Sequence, residues 1–279
     1  MYGSEVHVWL VDVDDDDASR QALHYLPAEE RVRLSAMLQP HRRRGICAQA
    51  AFRILAGAAT TGSAPLPELV RGWNGKPVLL AWGLHETGKP RMVTGPMARI
   101  RGIDEGAEAR PVHVSLSHSG AIAAVALTTA GITGVDVEQL RHLPDGEAMA
   151  RSSMSKFEYL QWRVTRESRR NVAVFRAWTR KEAVLKALGT GLGGGLRSVS
   201  APLEPARSSR VAVEALPEDA GPSEHWSVHD LPGWFGYVAA VAVRAPYVTV
   251  HQHEIRIGEL LRVARAVPGE AAEAVALAA

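Results

Sequence analysis

The chain has 279 residues, of which 46% are hydrophobic and 22% charged, so it holds enough apolar material for a sizeable core. A formal net charge of +2 gives no general reason to expect nucleic acid or a membrane as partner, and the single Cys47 excludes a disulfide framework. These features predict a soluble folded protein of one large domain or two smaller ones, in a reducing compartment that we expect to be the cytoplasm.

The first half of the chain predicts a strand followed by two helices. Residues 5–11 alternate around β-branched side chains and predict a strand, which the acidic run Asp14–Asp17 is expected to end. Between residues 26 and 62 apolar side chains recur at helical spacing on either side of Pro40, which predicts two helices. Residues 63–111 are rich in Gly, Pro and Arg and predict a loop with short strands.

The second half predicts strands, a helical block and more strands. The predicted strands are 112–120, 121–129, 131–140, 225–230, 236–244 and 247–253. A helical block is predicted from about 153 to 188, and the Gly-rich sequence after it is expected to close the helix. Apolar residues from Ile255 onward indicate an amphipathic helix in the C-terminal tail, with a frayed Ala-rich end as the alternative.

Two segments of similar sequence raise the question of an internal repeat. Val6–Leu10 and Val112–Leu116 share the pattern VHV-x-L, and each precedes a helical block that ends in glycine. A pseudo-repeat would predict two like α+β halves with a ligand cleft between them. A chance likeness is the equal alternative, because the separation in sequence between the two strands differs from that between the two helix ends.

Acidic residues on one predicted strand could hold a metal ion. In GVDVE, Asp136 and Glu138 are two residues apart, so their side chains lie on one face of the strand. Two carboxylates on one face repel each other, and a hard divalent cation such as Mg²⁺ removes that penalty. A solvated strand face is the plainer interpretation of this pair taken alone.

A second pair lies in the predicted helical block. Glu182 and Lys186 are four residues apart in WTRKEAVLK and therefore share a helix face. They could form an ordinary helical ion pair, or they could place a carboxylate on a metal ion and an ammonium on a phosphate of the same ligand.

His118 and an arginine-rich segment are candidates for binding anions. His118 stands between two serines at a strand end, where it could meet a phosphate or form only structural hydrogen bonds. The basic run His41–Arg44, with Arg31 and Arg33 shortly before it, could be a solvated helix face or a polyphosphate site.

The order of these motifs resembles that of a known enzyme family. The motifs that carry the resemblance are, in order, an Arg-rich helix, GKP, SHS, GVDVE and W-T-x-K-E-x-x-x-K followed by glycines. The chain resembles the 4′-phosphopantetheinyl transferases of the Sfp type over roughly residues 5–250. The resemblance implies an α+β fold of two similar α/β subdomains related by pseudo-twofold symmetry, with the active site in the cleft between them. The implied units are 1–111, 112–253 and a tail at 254–279.

The resemblance also implies roles for individual residues. Asp136, Glu138 and Glu182 match the magnesium ligands, and Lys186 matches the lysine at the phosphates of coenzyme A. The implied coenzyme A contacts are Ser117 and His118 at the 3′-phosphate, Arg33 and Arg44 near that phosphate and the adenine, and Lys89 with Pro90 from the GKP loop. Gly75–Pro77 is the alternative GKP loop, because both loops lie further before Ser117 than is usual in the family.

The implied reaction uses coenzyme A and an apo carrier protein as substrates. A carrier serine attacks the β-phosphate of coenzyme A and 3′,5′-ADP leaves, with Glu182 as the candidate acceptor of the serine proton. The expected partners are acyl or peptidyl carrier proteins of polyketide or nonribosomal peptide synthesis, and the protein is expected to act as a monomer. A catalytically silent binding module and an unrelated magnesium-dependent phosphohydrolase are the alternatives.

Overall fold

A computed structural model describes residues 4–61, 70–71, 77–79, 112–206 and 210–265. The strands in these ranges are β1 (Ser4–Asp12), β2 (Val70–Arg71), β3 (Pro77–Leu79), β4 (Val112–Ser119), β5 (Ile122–Thr128), β6 (Thr133–Gln139), β7 (Arg210–Val211), β8 (Ser227–Leu231), β9 (Tyr237–Val243) and β10 (Val248–Arg256). The helices are α1 (Asp16–Ala22), α2 (Ala28–Ser35), α3 (His41–Thr61), α4 (Gly146–Ser153), α5 (Lys156–Val164), α6 (Glu167–Leu188) and α7 (Ile257–Arg265).

The strands form two sheets. One sheet has the order β10-β1-β5-β4-β3-β2, and the other has the order β6-β9-β8-β7. In the first sheet β1 pairs with β10 in parallel and with β5 in antiparallel orientation, so the N-terminal strand lies between strands from later parts of the chain. All pairs in the second sheet are antiparallel. The mixed α/β content and the two sheets agree with the predicted α+β class.

The elements stack in four layers. Helices α1, α3 and α7 cover one face of the six-stranded sheet, whose other face packs on the four-stranded sheet, and α6 covers the far side of that second sheet. Strand β5 is buried along its whole length because both of its faces are covered. Ala123, Val125 and Leu127 face the helices, while Ile122 and Ala124 face the second sheet. This two-sided burial explains the continuous apolar run at residues 121–127.

The predicted helices on either side of Pro40 are confirmed as α2 and α3, whereas α1 was not predicted. The acidic run was expected only to end the first strand, but it also starts a helix. Asp15 is the N-cap of α1, and its Oδ1 accepts a hydrogen bond from the Ala18 amide at 2.8 Å. Asp16 and Asp17 occupy the first turn, where negative charge offsets the helix dipole.

The six-stranded sheet combines strands from both sides of residue 111, and the division of the chain at residues 111 and 253 stays a prediction. Strands β4, β5 and β10 all belong to the six-stranded sheet, although they come after the first boundary. Val6–Leu10 and Val112–Leu116 both lie in that same sheet, in β1 and β4. The VHV-x-L pattern therefore does not mark one strand in each of two halves, and pseudo-twofold symmetry stays a prediction.

The C-terminal tail forms the predicted amphipathic helix over part of its length. After β10 the chain continues directly into α7, where Ile257, Leu260 and Leu261 are buried against the helical face of the six-stranded sheet. Residues 266–279 lie outside the described residues. A search of the described helices finds none that is long and apolar enough to cross a membrane.

A buried ion pair joins the helices on the outer side of the second sheet. Lys181 in α6 is fully buried, and its Nζ donates to Glu158 Oε2 and to the Ser153 carbonyl. The same carboxylate accepts from the amides of Ser155 and Ala201, so four elements meet at one buried charge pair. Lys181 is one of few lysines in the chain, and its role in the structure is to hold these elements together.

Replacing Lys181 with alanine should lower the free energy of unfolding by about 3–5 kcal/mol, because it leaves the Glu158 carboxylate buried without its cation. Urea denaturation of the purified variant measures this change. Lys156→Ala, at an exposed position of α5, is the matched control and should change stability by less than about 0.5 kcal/mol. Equal losses in the two variants would contradict a structural role for the buried pair.

Candidate active site

The candidate site lies where helix α6 crosses strand β6, and Gly134 sets how closely they approach. A Cβ atom at Gly134 would lie 2.5 Å from the Ala187 amide nitrogen and closer still to the Ala183 carbonyl oxygen. Both atoms are helix backbone, so no side-chain movement could make room for it. The absence of a side chain therefore allows the helix to lie directly on the strand.

This close approach places side chains of the strand and the helix in contact. Along β6, Val135 and Val137 enter the core between the sheets, so Asp136 and Glu138 alternate onto the face toward α6. Lys186 Nζ lies 2.6 Å from Asp136 Oδ1. Ser117 of β4 completes a triangle, because its hydroxyl donates to Asp136 Oδ1 at 2.7 Å and accepts from Lys186 Nζ at 2.8 Å.

Two buried carboxylates at this site have oxygens without partners. Within the described residues, neither Asp136 Oδ2 nor Glu182 Oε1 has a hydrogen-bond partner, although both atoms are buried. Burial raises the pKa of Asp136 above its usual value despite the nearby Lys186, and burial followed by the charge of Asp136 raises the pKa of Glu182. Leaving such acceptors unpaired is costly, so the two oxygens point to a positively charged ligand.

Glu138 is held differently from the other two acids. Its Oε2 accepts a hydrogen bond from the Ser119 hydroxyl at 2.8 Å and lies 3.5 Å from an Arg141 guanidinium nitrogen. Across the described ranges, the carboxylate oxygens of Asp136, Glu138 and Glu182 do not come within 4.8 Å of one another as a set of three. Asp136 and Glu182 therefore have oxygens available for a metal ion, whereas Glu138 would first have to change its contacts.

Positive charge gathers around His118 at the end of β4. Alternation along the strand turns His118 to the face opposite Ser117, toward the helices, and part of its ring stays exposed. Burial of the rest lowers the pKa of His118, and the nearby positive charges of Lys186, His41 and Arg33 lower it further. Arg33 lies in the last turn of α2 and His41 begins α3, so three elements bring basic groups to one place that suits an anion.

Of the remaining predicted contacts, Arg44 is paired with an aspartate, and Lys89 and Pro90 are not described. Arg44 lies in α3 and forms an ion pair with Asp14, with 2.6 Å between Nη2 and Oδ2. Hydrogen bonds from Arg44 and Arg43 lower the pKa of Asp14 to about 2. Lys89 and Pro90 lie outside the described residues, as does most of the alternative loop at 75–77, whose Pro77 begins β3. The choice between the two loops stays open.

The sequence analysis missed the part played by a row of serines. Ser115, Ser117 and Ser119 alternate along β4 and face β6, which is the edge strand of the four-stranded sheet. The hydroxyls of Ser115 and Ser119 accept hydrogen bonds from the amides of Val135 and Gln139, each at 3.1 Å. The available signal was the period of two in SLSHS, which places all three serines on one face of a strand.

The region that contains the three acids and Lys186 is similar in sequence to a known protein family. The sequence profile of the 4'-phosphopantetheinyl transferase superfamily matches residues 132–242, a range that contains Asp136, Glu138, Glu182 and Lys186. This segment is therefore similar to the 4'-phosphopantetheinyl transferase superfamily. Ser117, His118, Arg33 and Arg44 lie before the matched range.

Similar curated proteins carry names of the same superfamily. The chain is 28% identical over 245 residues to the 4'-phosphopantetheinyl transferase HetI of Nostoc sp., covering 87% of this chain and 89% of that protein. It is 30% identical over 138 residues to a putative 4'-phosphopantetheinyl transferase of Synechocystis sp., and 30% identical over 125 residues to the 4'-phosphopantetheinyl transferase AcpT of Salmonella typhi. These two matches cover 50% and 45% of this chain, and 53% and 51% of the respective relatives.

Replacing Gly134 with alanine should destabilise the protein by about 1–3 kcal/mol, because the new methyl group meets helix backbone that has nowhere to move. Urea denaturation measures the loss. Gly146→Ala, at the start of α4, is the control, since the nearest atom to its added Cβ is Leu143 Cβ at 3.7 Å. Unchanged stability of Gly134→Ala would show that α6 can move off β6 at little cost.

Proposed function

We propose that this protein transfers the 4′-phosphopantetheine group of coenzyme A to a serine of an apo carrier protein, with release of 3′,5′-ADP. The observation that carries the proposal is the pair of unpartnered carboxylate oxygens, Asp136 Oδ2 and Glu182 Oε1, beside Lys186. The superfamily match over residues 132–242 and the activity named for its relatives support the same reaction. We assign the chain to the Sfp type within this superfamily from the order of its motifs.

Asp136 and Glu182 would hold Mg²⁺, and Glu138 would join them after exchanging its contacts with Ser119 and Arg141. Carboxylate oxygens are the ligands that Mg²⁺ prefers in proteins, and the two unpartnered oxygens fit this chemistry. When bound, Mg²⁺ neutralises charge on the pyrophosphate of coenzyme A and orients it.

The residues of this chain contribute positioning, charge and a proton acceptor. Lys186 Nζ, now on Asp136 and Ser117, can turn toward a phosphate oxygen because part of its side chain is exposed. Glu182 accepts the proton of the attacking serine, directly or through a water molecule. The serine oxygen forms a bond to the β-phosphorus, the bond from that phosphorus to the bridging oxygen breaks, and 3′,5′-ADP carries away the released charge.

We assign the 3′-phosphate of coenzyme A to the basic group at the end of β4. His118 and Arg33 would contact this phosphate, with His41 nearby and Ser117 on the other face of the same strand. Arg44, Lys89 and Pro90 stay predicted contacts of coenzyme A. Carrier proteins of polyketide or nonribosomal peptide synthesis are the proposed acceptors, and action as a cytoplasmic monomer stays a prediction.

The proposed function is tested by intact-mass spectrometry of apo carrier proteins incubated with this protein, coenzyme A and Mg²⁺. We expect a mass gain of one phosphopantetheine group that disappears with EDTA. If coenzyme A binds but no carrier gains mass, the protein is a silent binding module. If phosphate is released from small phosphoesters without any carrier, it is a phosphohydrolase.

Glu182→Gln should slow transfer at least about 100-fold, because it removes a charged metal ligand and the proton acceptor while keeping the shape of the side chain. Lys186→Ala should slow transfer on the order of 100-fold through loss of a positioned charge. Initial rates of carrier modification measure both effects. Glu147→Gln, at an exposed position of α4, is the control for removing a carboxylate and should keep the rate. A loss below about threefold in both site variants would contradict the assigned roles.

His118→Ala should weaken binding of coenzyme A and leave binding of 3′-dephospho-coenzyme A nearly unchanged. The variant removes a ring beside the proposed 3′-phosphate position, and 3′-dephospho-coenzyme A lacks that phosphate. Calorimetric titration of both ligands into both proteins gives the four dissociation constants. An equal loss of affinity for the two ligands would place the role of His118 elsewhere.

A further inference from the structure

A cluster of histidines lies on the six-stranded sheet, away from the candidate active site. Strands β1 and β10 run parallel, and their register places His7 beside His251 and Trp9 beside His253. Glu5 lies two residues before His7 and so shares its face of β1. Trp9 and Val11 lie on the same face of β1 as His7 and belong to the core beneath α3 and α7. The histidines therefore lie on the face of the six-stranded sheet that the helices cover.

Three side chains of this cluster bring ligand atoms close to one another. Glu5, His7 and His251 each offer a carboxylate oxygen or an imidazole nitrogen, and these three atoms all lie within 4.8 Å of one another. Glu5 Oε2 is 3.8 Å from His7 Nε2, and Glu5 Oε1 is 3.5 Å from His251 Nε2. Two ligands of a tetrahedral Zn²⁺ ion are separated by about 3.3–3.5 Å when each bond is near 2.0–2.1 Å. The cluster is therefore close to the spacing that the ion requires.

The nitrogens that face this centre lack other hydrogen bonds. Within the described part of the chain, His7 Nε2 and His251 Nε2 are buried atoms for which no hydrogen-bond partner is found. The histidine rings stack, with 4.8 Å between the ring centres of His7 and His251 and 5.4 Å between those of His7 and His253. The two imidazole nitrogens do not form a hydrogen bond with each other, and a cation bound between them and the carboxylate would stabilise all three groups.

The second nitrogen of His7 is held by His253. His7 Nδ1 and His253 Nε2 are 3.1 Å apart, and when His7 Nδ1 donates in this hydrogen bond, His7 Nε2 carries the free lone pair. Metal-binding histidines in proteins are oriented by such a bond from the other ring nitrogen.

We propose that Glu5, His7 and His251 bind a divalent transition-metal ion, for which Zn²⁺ fits best, with His253 orienting His7. Two imidazoles and one carboxylate suit Zn²⁺ and leave its fourth position to water. The candidate active site, by contrast, offers carboxylate oxygens and lies beyond the second sheet, between β6 and α6. The proposed ion would connect the first strand of the chain to β10 and stabilise the edge of the six-stranded sheet.

The test is a titration of untagged protein with Zn²⁺ in the presence of excess Mg²⁺, followed by calorimetry and by thermal unfolding. We expect one equivalent to bind and the melting temperature to rise. Glu5→Gln and His251→Asn should bind at least 10-fold more weakly and lose the rise in melting temperature. Both positions are partly exposed, so the variants are expected to fold, which circular dichroism checks. His225→Asn, at an exposed histidine outside the cluster, is the matched control and should bind like wild type.

Two further measurements separate this site from the candidate active site. Glu182→Gln should keep the full Zn²⁺ affinity, because the proposed ligands lie on other strands. Co²⁺ used in place of Zn²⁺ should give the visible absorption of a tetrahedral ion in wild type and not in His251→Asn. Absence of Zn²⁺ binding to wild type, equal binding by wild type and His251→Asn, or loss of binding in Glu182→Gln would each overturn the proposal.

Discussion

The close approach of helix α6 to strand β6 at Gly134 is the constraint on which the candidate site depends. With no side chain at Gly134, the helix backbone rests on the strand, and the residues two positions along the strand meet those on the facing turns of the helix. Asp136 then lies against Lys186, and Glu182 comes near enough for the charge of Asp136 to raise its pKa. A larger spacing would leave the same residues on the same faces without joining them, so the geometry of the backbone decides whether the motif acts as a site.

The serines of β4 provide the second part of this arrangement by joining the two sheets. Strand β6 is the edge of its sheet, and an edge strand exposes backbone groups that need partners. Ser115 and Ser119 supply partners to two of its amides, and Ser117 binds the Asp136 carboxylate between them. Ser117 and His118 are neighbours in sequence but face opposite sides of the sheet. The strand therefore presents the serine that contacts Asp136 on one face and the histidine with basic neighbours on the other.

The sequence predicted the local features well and the long-range ones poorly. Hydrophobic periodicity and Pro40 located α2 and α3, and alternation placed Asp136 and Glu138 on one face of a strand, because both depend only on neighbouring residues. The sequence did not predict that β4, β5 and β10 lie in one sheet with β1, since strand order depends on pairing between distant segments. Lys181 lies in the predicted helical block, but only the structure shows Glu158 from another helix beside it.

Three consecutive charged residues of α6 differ in whether the fold supplies a partner for their charge. Arg180 is buried and forms a salt bridge with Asp230, and Lys181 is buried and forms one with Glu158. Glu182 follows directly and is also buried, yet within the described residues its Oε1 has no hydrogen-bond partner. Burying a charge costs several kcal/mol unless a partner offsets it. The fold neutralises the two cations with its own carboxylates but leaves Glu182 Oε1 without a hydrogen-bond partner among the described residues, which supports the proposal that a cation binds there.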